Sequence, residues 1–346
     1  MRKIVILTEG KSNPTDAKTA TGVIRYRRSE VVAVLDSTCA GRTAQEVFGV
    51  GGSIPCVASL GDVQADTLLI GIAPAGGRLP ESWRAVIRDA MHRGMDVVSG
   101  LHFFLSDDDE FRALAETNGV KIVDLRRPPA APDVAHNRAR HTPCFRVHTV
   151  GNDCGVGKMV VALEVAEGLR KRGRRARFIA TGQTGILIAG GGVAVDAVVS
   201  DFVSGAIERQ VLQAQDEEFL LIEGQGSLVH PMYSGVTLSL LHGCAPQAMV
   251  LCLDPTRTEI RHCDSALPGV DEVIEIYERM AHVIAPSRVV GIALNTSALS
   301  VAEADEEIAR SQESTGLPTT DVIRHGPLPL VDAVLEAEAE SRLRSA

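Results

Sequence analysis

The sequence has no long apolar run, no positive net charge and few aromatic residues. No apolar stretch approaches the roughly 20 residues of a membrane-spanning helix, and the N-terminal run Ile4–Leu7 is too short for a secretory signal, so we expect no membrane partner. The net charge of −9 argues against nucleic acid as a partner. The basic run at 170–175 closes a predicted helix, where cations interact favourably with the helix dipole. Aromatic residues make up only 3% of the chain, which, with the many Val, Ala and Gly residues, favours an α/β fold.

Three sequence signatures are also missing. The seven cysteines are odd in number and follow no disulfide framework, which predicts a reducing, cytoplasmic location. The polar loop after the first apolar run has no Gly-x-Gly-x-x-Gly fingerprint, so a nicotinamide cofactor is poorly supported. The Arg-His-Cys-Asp run at 261–264 has no second ligand pair at a typical spacing, and we therefore predict no metal site.

From residue 1 to about residue 140, apolar segments alternate with helical or turn segments, the pattern of a doubly wound parallel sheet. A proline-rich stretch at 128–132 suggests a linker, and we place a domain boundary near residue 140, giving domains 1–140 and 141–346. In the first domain the predicted strands are Ile4–Leu7, 30–35, Thr67–Ile70, 96–98 and 120–123. The acidic run at 106–110 predicts a helix N-cap and first turn.

A glycine-rich turn between an apolar strand and an amphipathic helix is the strongest signal in the sequence. Glycines let a loop turn tightly and aim successive backbone N–H groups at a phosphate, and a lysine at the helix start adds a positive charge. The order strand, glycine-rich turn, lysine and helix is that of a P-loop. The predicted cofactor-binding residues are Gly151, Asn152, Asp153, Cys154, Gly155, Val156, Gly157, Lys158 and Met159.

Two positions depart from the usual P-loop pattern. The first glycine is Gly151, one residue earlier than in the common spacing, and the loop resembles the Gly-Thr-Asp-Thr-Gly-Val-Gly-Lys-Thr type of the dethiobiotin synthetase group. Met159 stands where a Ser or Thr hydroxyl normally binds Mg²⁺, and a thioether is a poor ligand for a hard cation. The loop should hold a phosphate, while ordinary Mg²⁺-dependent nucleotide hydrolysis is put in doubt.

Other polar residues follow predicted strands and are candidates for catalysis. Glu223 ends the apolar run 219–222, which should lie beside the P-loop strand, and it resembles the acid-Gly element of the dethiobiotin synthetase group. His230 could accept a proton near neutral pH or could be a structural histidine. By the same resemblance Asp201 could serve as a base or a metal ligand, and a helix-capping role is the alternative.

Candidate substrate-binding residues lie in both domains. Hydroxyl and amide side chains at strand ends can bind a ligand, and basic side chains near the N-terminus could bind an acidic substrate or could be exposed loop charges. These candidates are Thr181, Gln183, Thr184, Ser227, Lys18 and Arg25.

Several motifs together resemble one bacterial and archaeal family. They are Gly-Asn-Asp-Cys-Gly-Val-Gly-Lys-Met, Thr-Gly-Gln-Thr-Gly, Glu-Gly-Gln-Gly-Ser-Leu, His-Pro-Met-Tyr-Ser and the N-terminal Thr-Glu-Gly-Lys with Ala-Lys-Thr-Ala. The chain resembles the D-glutamate (D-amino acid) N-acetyltransferase family, long catalogued as a domain of unknown function. The resemblance covers nearly the whole chain. It implies a Rossmann-like N-terminal domain and a P-loop NTPase-like C-terminal domain. It also implies transfer of an acetyl group from acetyl-CoA, the co-substrate, to the amino group of D-glutamate or a similar small acidic D-amino acid.

Two other functions stay open at this point. The P-loop could serve an ATP-dependent kinase or ligase that uses Mg²⁺ and acts on a small acid, as dethiobiotin synthetase does. A nucleotide-sensing binding protein without turnover is the third possibility. We also expect the chain to form a homo-oligomer.

Overall fold

A computed structural model describes residues 2–13, 16–72 and 79–345, which form two compact units. The first unit contains the chain up to Pro128 together with the later segment Ile186–Ala197. The second contains Pro129–Gly185 and Val198–Ala346. The first unit is therefore discontinuous in sequence.

The first unit is built on a parallel sheet of six strands in the order β3-β2-β1-β4-β5-β6. This is the strand order of a Rossmann sheet, and the fold class expected for the N-terminal domain is confirmed. Its elements are β1 Ile4–Leu7, α1 Lys18–Tyr26, β2 Val31–Leu35, α2 Ala44–Phe48, β3 Cys56–Val57, β4 Thr67–Ile70, α3 Arg84–His92, β5 Asp96–Ser99, α4 Asp109–Asn118 and β6 Ile122–Asp124.

The apolar runs predicted as strands are buried at the middle of the sheet, whereas the run at 120–123 gives the partly exposed edge strand β6. Every residue of β1 and β4 is buried, as expected for parallel strands covered on both faces. Asp108 caps α4 by accepting hydrogen bonds from the N–H groups of Glu110 and Phe111, as the acidic run predicted. The segment Ile186–Ala197 adds Leu187 to the same hydrophobic core, and its Asp196 pairs with Arg126.

The second unit contains a parallel sheet in the order β12-β11-β10-β7-β9-β8. None of the helices in residues 2–13, 16–72 and 79–345 is long and apolar enough to cross a membrane. The elements after Pro129 are β7 Phe145–Gly151, α5 Lys158–Lys171, β8 Ala176–Ile179, α6 Gln183–Ala189, α7 Ser200–Gln213, β9 Phe219–Ile222, α8 Ser234–Cys244, β10 Ala248–Leu253, α9 Val270–His282, β11 Arg288–Leu294, α10 Val301–Thr315, β12 Thr319–Thr320 and α11 Leu328–Ser345.

The register of the second sheet determines which loops meet. In β7, His148 pairs with Ile222 of β9 on one side and Met249 of β10 on the other. The predicted pairing of the strand before Glu223 with the P-loop strand is therefore confirmed. Because all strands are parallel, the loops after β8, β9, β7 and β10 follow one another along the carboxyl edge of the sheet, where α/β folds bind ligands.

Candidate functional site

The loop between β7 and α5 forms a ring of backbone donors. Gly155 and Gly157 have positive φ angles of 70° and 103°, a conformation that residues with a side chain rarely adopt. Within the described chain, the N–H groups of Gly155, Val156 and Gly157 donate no hydrogen bond. The first turn of α5 adds further N–H groups that have no partner inside the helix. This arrangement suits an anion that bears several oxygens.

Lys158 is buried inside the loop at 6% exposure. Its Nζ donates a hydrogen bond of 2.7 Å to the main-chain oxygen of Asp153, so the loop folds around the ammonium group. Burial lowers the pKa of Lys158 to about 8, while the neighbouring Asp153 carboxylate favours the charged form. A phosphate would replace the hydration that the ammonium group loses on burial.

Asp153 anchors the loop and is itself fully buried. Its carboxylate accepts hydrogen bonds from Cys154 N at 2.6 Å, from Arg257 Nη1 at 2.7 Å and from Arg261 N at 3.0 Å. Burial would raise the pKa of this carboxyl group, but the bonds from Arg257, Cys154 and Arg261 outweigh it and hold the pKa below its usual value. Asp153 therefore stays ionised and fixes the loop after β10 against the P-loop.

Gly224 brings the chain after β9 into direct contact with the P-loop strand. A Cβ atom at this position would lie 1.8 Å from Thr149 O and 2.9 Å from Lys158 Cδ. The Gly224 N–H also donates to Thr149 Oγ1 at 3.0 Å. The glycine is thus required for the close approach, which places the preceding Glu223 next to the P-loop.

We expect Gly224→Ala to lower the free energy of unfolding by about 3 kcal/mol, because the added methyl group meets a main-chain oxygen that has to move. Chemical denaturation monitored by circular dichroism measures the change. Gly235→Ala is the matched control, since a Cβ there would meet nothing within 4 Å. Equal stability of the two variants would contradict the geometry.

Glu223 is buried beneath the loop after β8. Its Oε2 accepts hydrogen bonds from Thr181 N at 2.8 Å and Gly182 N at 3.2 Å. Both donors directly precede α6, and they stabilise the negative charge of the carboxylate. Thr181 Oγ1 in turn donates to the main-chain oxygen of Glu223 at 2.9 Å, so the two loops hold each other in position.

His230 is completely buried and both of its ring nitrogens have partners. Nδ1 accepts from Met232 N at 3.2 Å, which leaves Nε2 to donate to Arg261 O at 3.0 Å. No lone pair of the ring is free to take a proton in this arrangement. Through these two bonds His230 joins the loop after β9 to the loop after β10.

Family comparisons agree with this architecture. Residues 133–331 match the P-loop domain described as "Domain of unknown function (DUF1611_C)", and residues 37–128 match the corresponding Rossmann-like domain, DUF1611_N. The chain belongs to the DUF1611 family. The crystal structure of a DUF1611 family protein from Anabaena variabilis superposes with a TM-score of 0.93 at 40% identity, covering 97% of this chain and 100% of that one.

Two relatives of this DUF1611 chain carry the same name. The D-glutamate N-acetyltransferase of Tritonibacter scottomollicae is 41% identical over 272 residues, which are 78% of this chain and 81% of that protein. The D-glutamate N-acetyltransferase of a Pseudoalteromonas species is 39% identical over 264 residues, 76% of this chain and 79% of that protein. The resemblance expected from the sequence motifs is confirmed at the level of the family.

The remaining predicted residues of this DUF1611 chain fall into two groups. The loops after β8 and β9 contain Thr181 and Ser227, both buried, and α6 begins with Gln183 and the buried Thr184. The Thr181 hydroxyl already donates to Glu223 O and accepts from Gln225 Nε2, and Ser227 Oγ accepts from Val229 N. The other three predicted residues are exposed on helices. Asp201 lies in the first turn of α7, and Lys18 and Arg25 lie on α1 of the first unit.

The side chains of Asp153, Cys154 and His230 lie close enough together to suggest a metal, with ligand atoms within 4.8 Å of one another. Their chemistry does not fit one. The carboxylate already binds Arg257, the histidine uses both nitrogens, and burial raises the pKa of the Cys154 thiol.

Sequence reasoning missed the two arginines of the loop between β10 and α9, Arg257 and Arg261. They follow a predicted core strand, and the polar residues after such a strand were the available signal. Their approach to Asp153 depends on β10 lying next to β7, which only the sheet order reveals.

Proposed function

We propose that this chain is an N-acetyltransferase that transfers the acetyl group of acetyl-CoA to the amino group of D-glutamate or a similar acidic D-amino acid. The observation that carries the proposal is the identity of about 40% to two D-glutamate N-acetyltransferases over more than three quarters of the chain. The P-loop geometry supports it, because an anion cradle without a metal-binding hydroxyl suits a diphosphate that is held but not cleaved.

The residues present fit coenzyme A. The N–H groups of Gly155, Val156 and Gly157 and the ammonium group of Lys158 would hold its diphosphate. Met159, half-buried in the first turn of α5, offers no hydroxyl to Mg²⁺. When bound, acetyl-CoA supplies an acetyl group activated as a thioester. The transfer forms a C–N bond and breaks the C–S bond. The substrate ammonium group has to lose two protons on becoming an amide, of which one reaches the thiolate and the other passes to a base.

Glu223 is our candidate for the proton acceptor. Its carboxylate accepts hydrogen bonds from two main-chain N–H groups and lies next to the P-loop, whereas both ring nitrogens of His230 have partners. The acidic acceptor would need basic partners for its carboxylates, and Lys18 and Arg25 remain candidates for that role.

A thiol-release assay tests the proposal. Purified protein with acetyl-CoA and D-glutamate should release one free thiol for each N-acetylglutamate detected by mass spectrometry. Glutarate, which has the two carboxylates but no amine, should release none. Tight binding of Mg-ATP with no thiol release from any acidic amino acid would instead favour the ATP-dependent reaction.

The affinity for acetyl-CoA should fall as the pH rises above about 8. Lys158 binds phosphate in its protonated form. Because its pKa in the free protein is about 8, the protonated fraction is high well below that pH and falls as the pH rises above it. The phosphates of acetyl-CoA do not contribute, since their last ionisation lies near pH 6. Isothermal titration between pH 7 and pH 9.5 should show up to a tenfold loss per pH unit, and a flat profile would contradict the assignment.

A further inference from the structure

The P-loop of this chain has one positive charge where many P-loops have a lysine and a magnesium ion. Met159 has no hydroxyl group to bind the metal. Within the loop itself, Lys158 would therefore be the one positive charge next to the two negative charges of a bound diphosphate. A second cation near the loop would compensate for the missing ion. The loop between β10 and α9 brings two guanidinium groups to this region.

Arg257 is already committed to protein partners. Its Nη1 donates to Asp153 Oδ2 and to Cys154 O, each at 2.7 Å, and its Nε lies 3.2 Å from Asp254 Oδ2. Two carboxylates therefore balance its charge. Its role is to hold the loop, and it has little capacity left for a ligand.

Arg261 is different because only its main chain is bound. Its N–H donates to Asp153 Oδ2 at 3.0 Å and its carbonyl oxygen accepts from His230 Nε2 at 3.0 Å, so the backbone is fixed on both sides. Its half-buried guanidinium group makes no hydrogen bond or ion pair with residues 2–13, 16–72 or 79–345.

The Arg261 charge acts on the P-loop. Burial raises the pKa of the Cys154 thiol, and the positive charge of Arg261 works against that rise, as it does for the hydroxyl of Tyr233. Cys154 belongs to the phosphate loop itself. The main-chain bonds of Arg261 to Asp153 and His230 therefore place its positive charge near the P-loop, close enough to act on Cys154.

We propose that Arg261 binds the diphosphate of coenzyme A in place of a magnesium ion. This inference rests on the proposed function, since it takes coenzyme A as the ligand of the P-loop. A guanidinium group donates two parallel hydrogen bonds to phosphate oxygens, which gives both charge and orientation without a metal. The binding of coenzyme A should accordingly be independent of divalent ions.

Isothermal titration of coenzyme A into Arg261→Gln tests the inference. The dissociation constant should rise about 10- to 100-fold, the range expected for loss of a charged partner in a partly buried site. The substitution keeps the N–H and carbonyl groups that Asp153 and His230 use. Arg279→Gln, an exposed position on α9 paired with Glu275, is the control with the same change in net charge. Equal dissociation constants for the two variants would overturn the inference.

Two further titrations sharpen the test. Dephospho-coenzyme A retains the diphosphate, so Arg261→Gln should weaken its binding by the same factor. A loss of affinity confined to coenzyme A would mean that Arg261 contacts the 3′-phosphate, which overturns the proposal.

In the double variant Met159→Thr, Arg261→Gln, added MgCl₂ should recover most of the affinity for coenzyme A. EDTA should leave the affinity of the unaltered chain unchanged. Metal-dependent binding by the unaltered chain would overturn it.

The two proposals fail in different ways. An unaltered chain that does not bind coenzyme A would refute the proposed function. Binding by the unaltered chain with no effect of Arg261→Gln would refute only the role of Arg261.

Discussion

Replacing Glu223 with glutamine should lower kcat for N-acetylation of D-glutamate by about 10²- to 10⁴-fold, the usual contribution of a general base. The amide oxygen of glutamine can still accept the hydrogen bonds from Thr181 N and Gly182 N, so the loop after β8 should stay in place. The affinity for acetyl-CoA should change little, because the N–H donors and Lys158 are untouched. Steady-state kinetics together with isothermal titration separates these two quantities.

Two variants control this experiment. Glu217→Gln, just before the amino end of β9, removes a half-buried carboxylate without approaching the P-loop and should leave kcat unchanged. His230→Asn should reduce stability more than kcat, since its ring joins Met232 N to Arg261 O. If the loss of kcat follows the histidine and not the glutamate, our assignment of the base is wrong.

Replacing Lys158 with methionine should raise the dissociation constant of acetyl-CoA by about 100- to 1000-fold. Removal of one partner from a buried charged pair costs about 2–5 kcal/mol, and each 1.4 kcal/mol is about a factor of ten. Methionine has nearly the length and shape of lysine, so the packing against Gly151 and Gly224 should survive. The pH dependence of binding above about pH 8 should disappear in this variant.

The control for this prediction lies on the same helix. Lys171→Met changes an exposed lysine at the other end of α5 by the same substitution and should bind acetyl-CoA normally. A Lys158→Met protein with the affinity of the Lys171→Met protein would mean that the P-loop does not hold the coenzyme.

The strands and the P-loop could be predicted because each leaves a local signal. Buried parallel strands are unbroken apolar runs, and the run at 219–222 was found with its observed bounds as β9. A lysine after Gly-x-Gly, between a strand and a helix, marked the phosphate loop. The basic run at 170–175 was correctly placed at a helix end, where α5 stops at Lys171.

Features that depend on distant pairing could not be predicted in this way. The strand β12, Thr319–Thr320, is two threonines long and is defined only by its pairing with Ile292 and Ala293 of β11. The carboxylate of Asp153, which stays a predicted cofactor-binding residue, accepts hydrogen bonds from Arg257 Nη1 and Arg261 N, more than one hundred positions away. Nothing in the local sequence encodes that contact.

The discontinuity of the first unit limits how this protein can be dissected. A fragment that starts at residue 129 would carry Leu187 away from the hydrophobic core that buries it, and a fragment that ends at residue 128 would lose Asp196, the partner of Arg126. Separate expression of either fragment would therefore leave part of its hydrophobic core exposed to solvent. Biophysical work on the first unit should therefore include the segment Ile186–Ala197 or use the full-length chain.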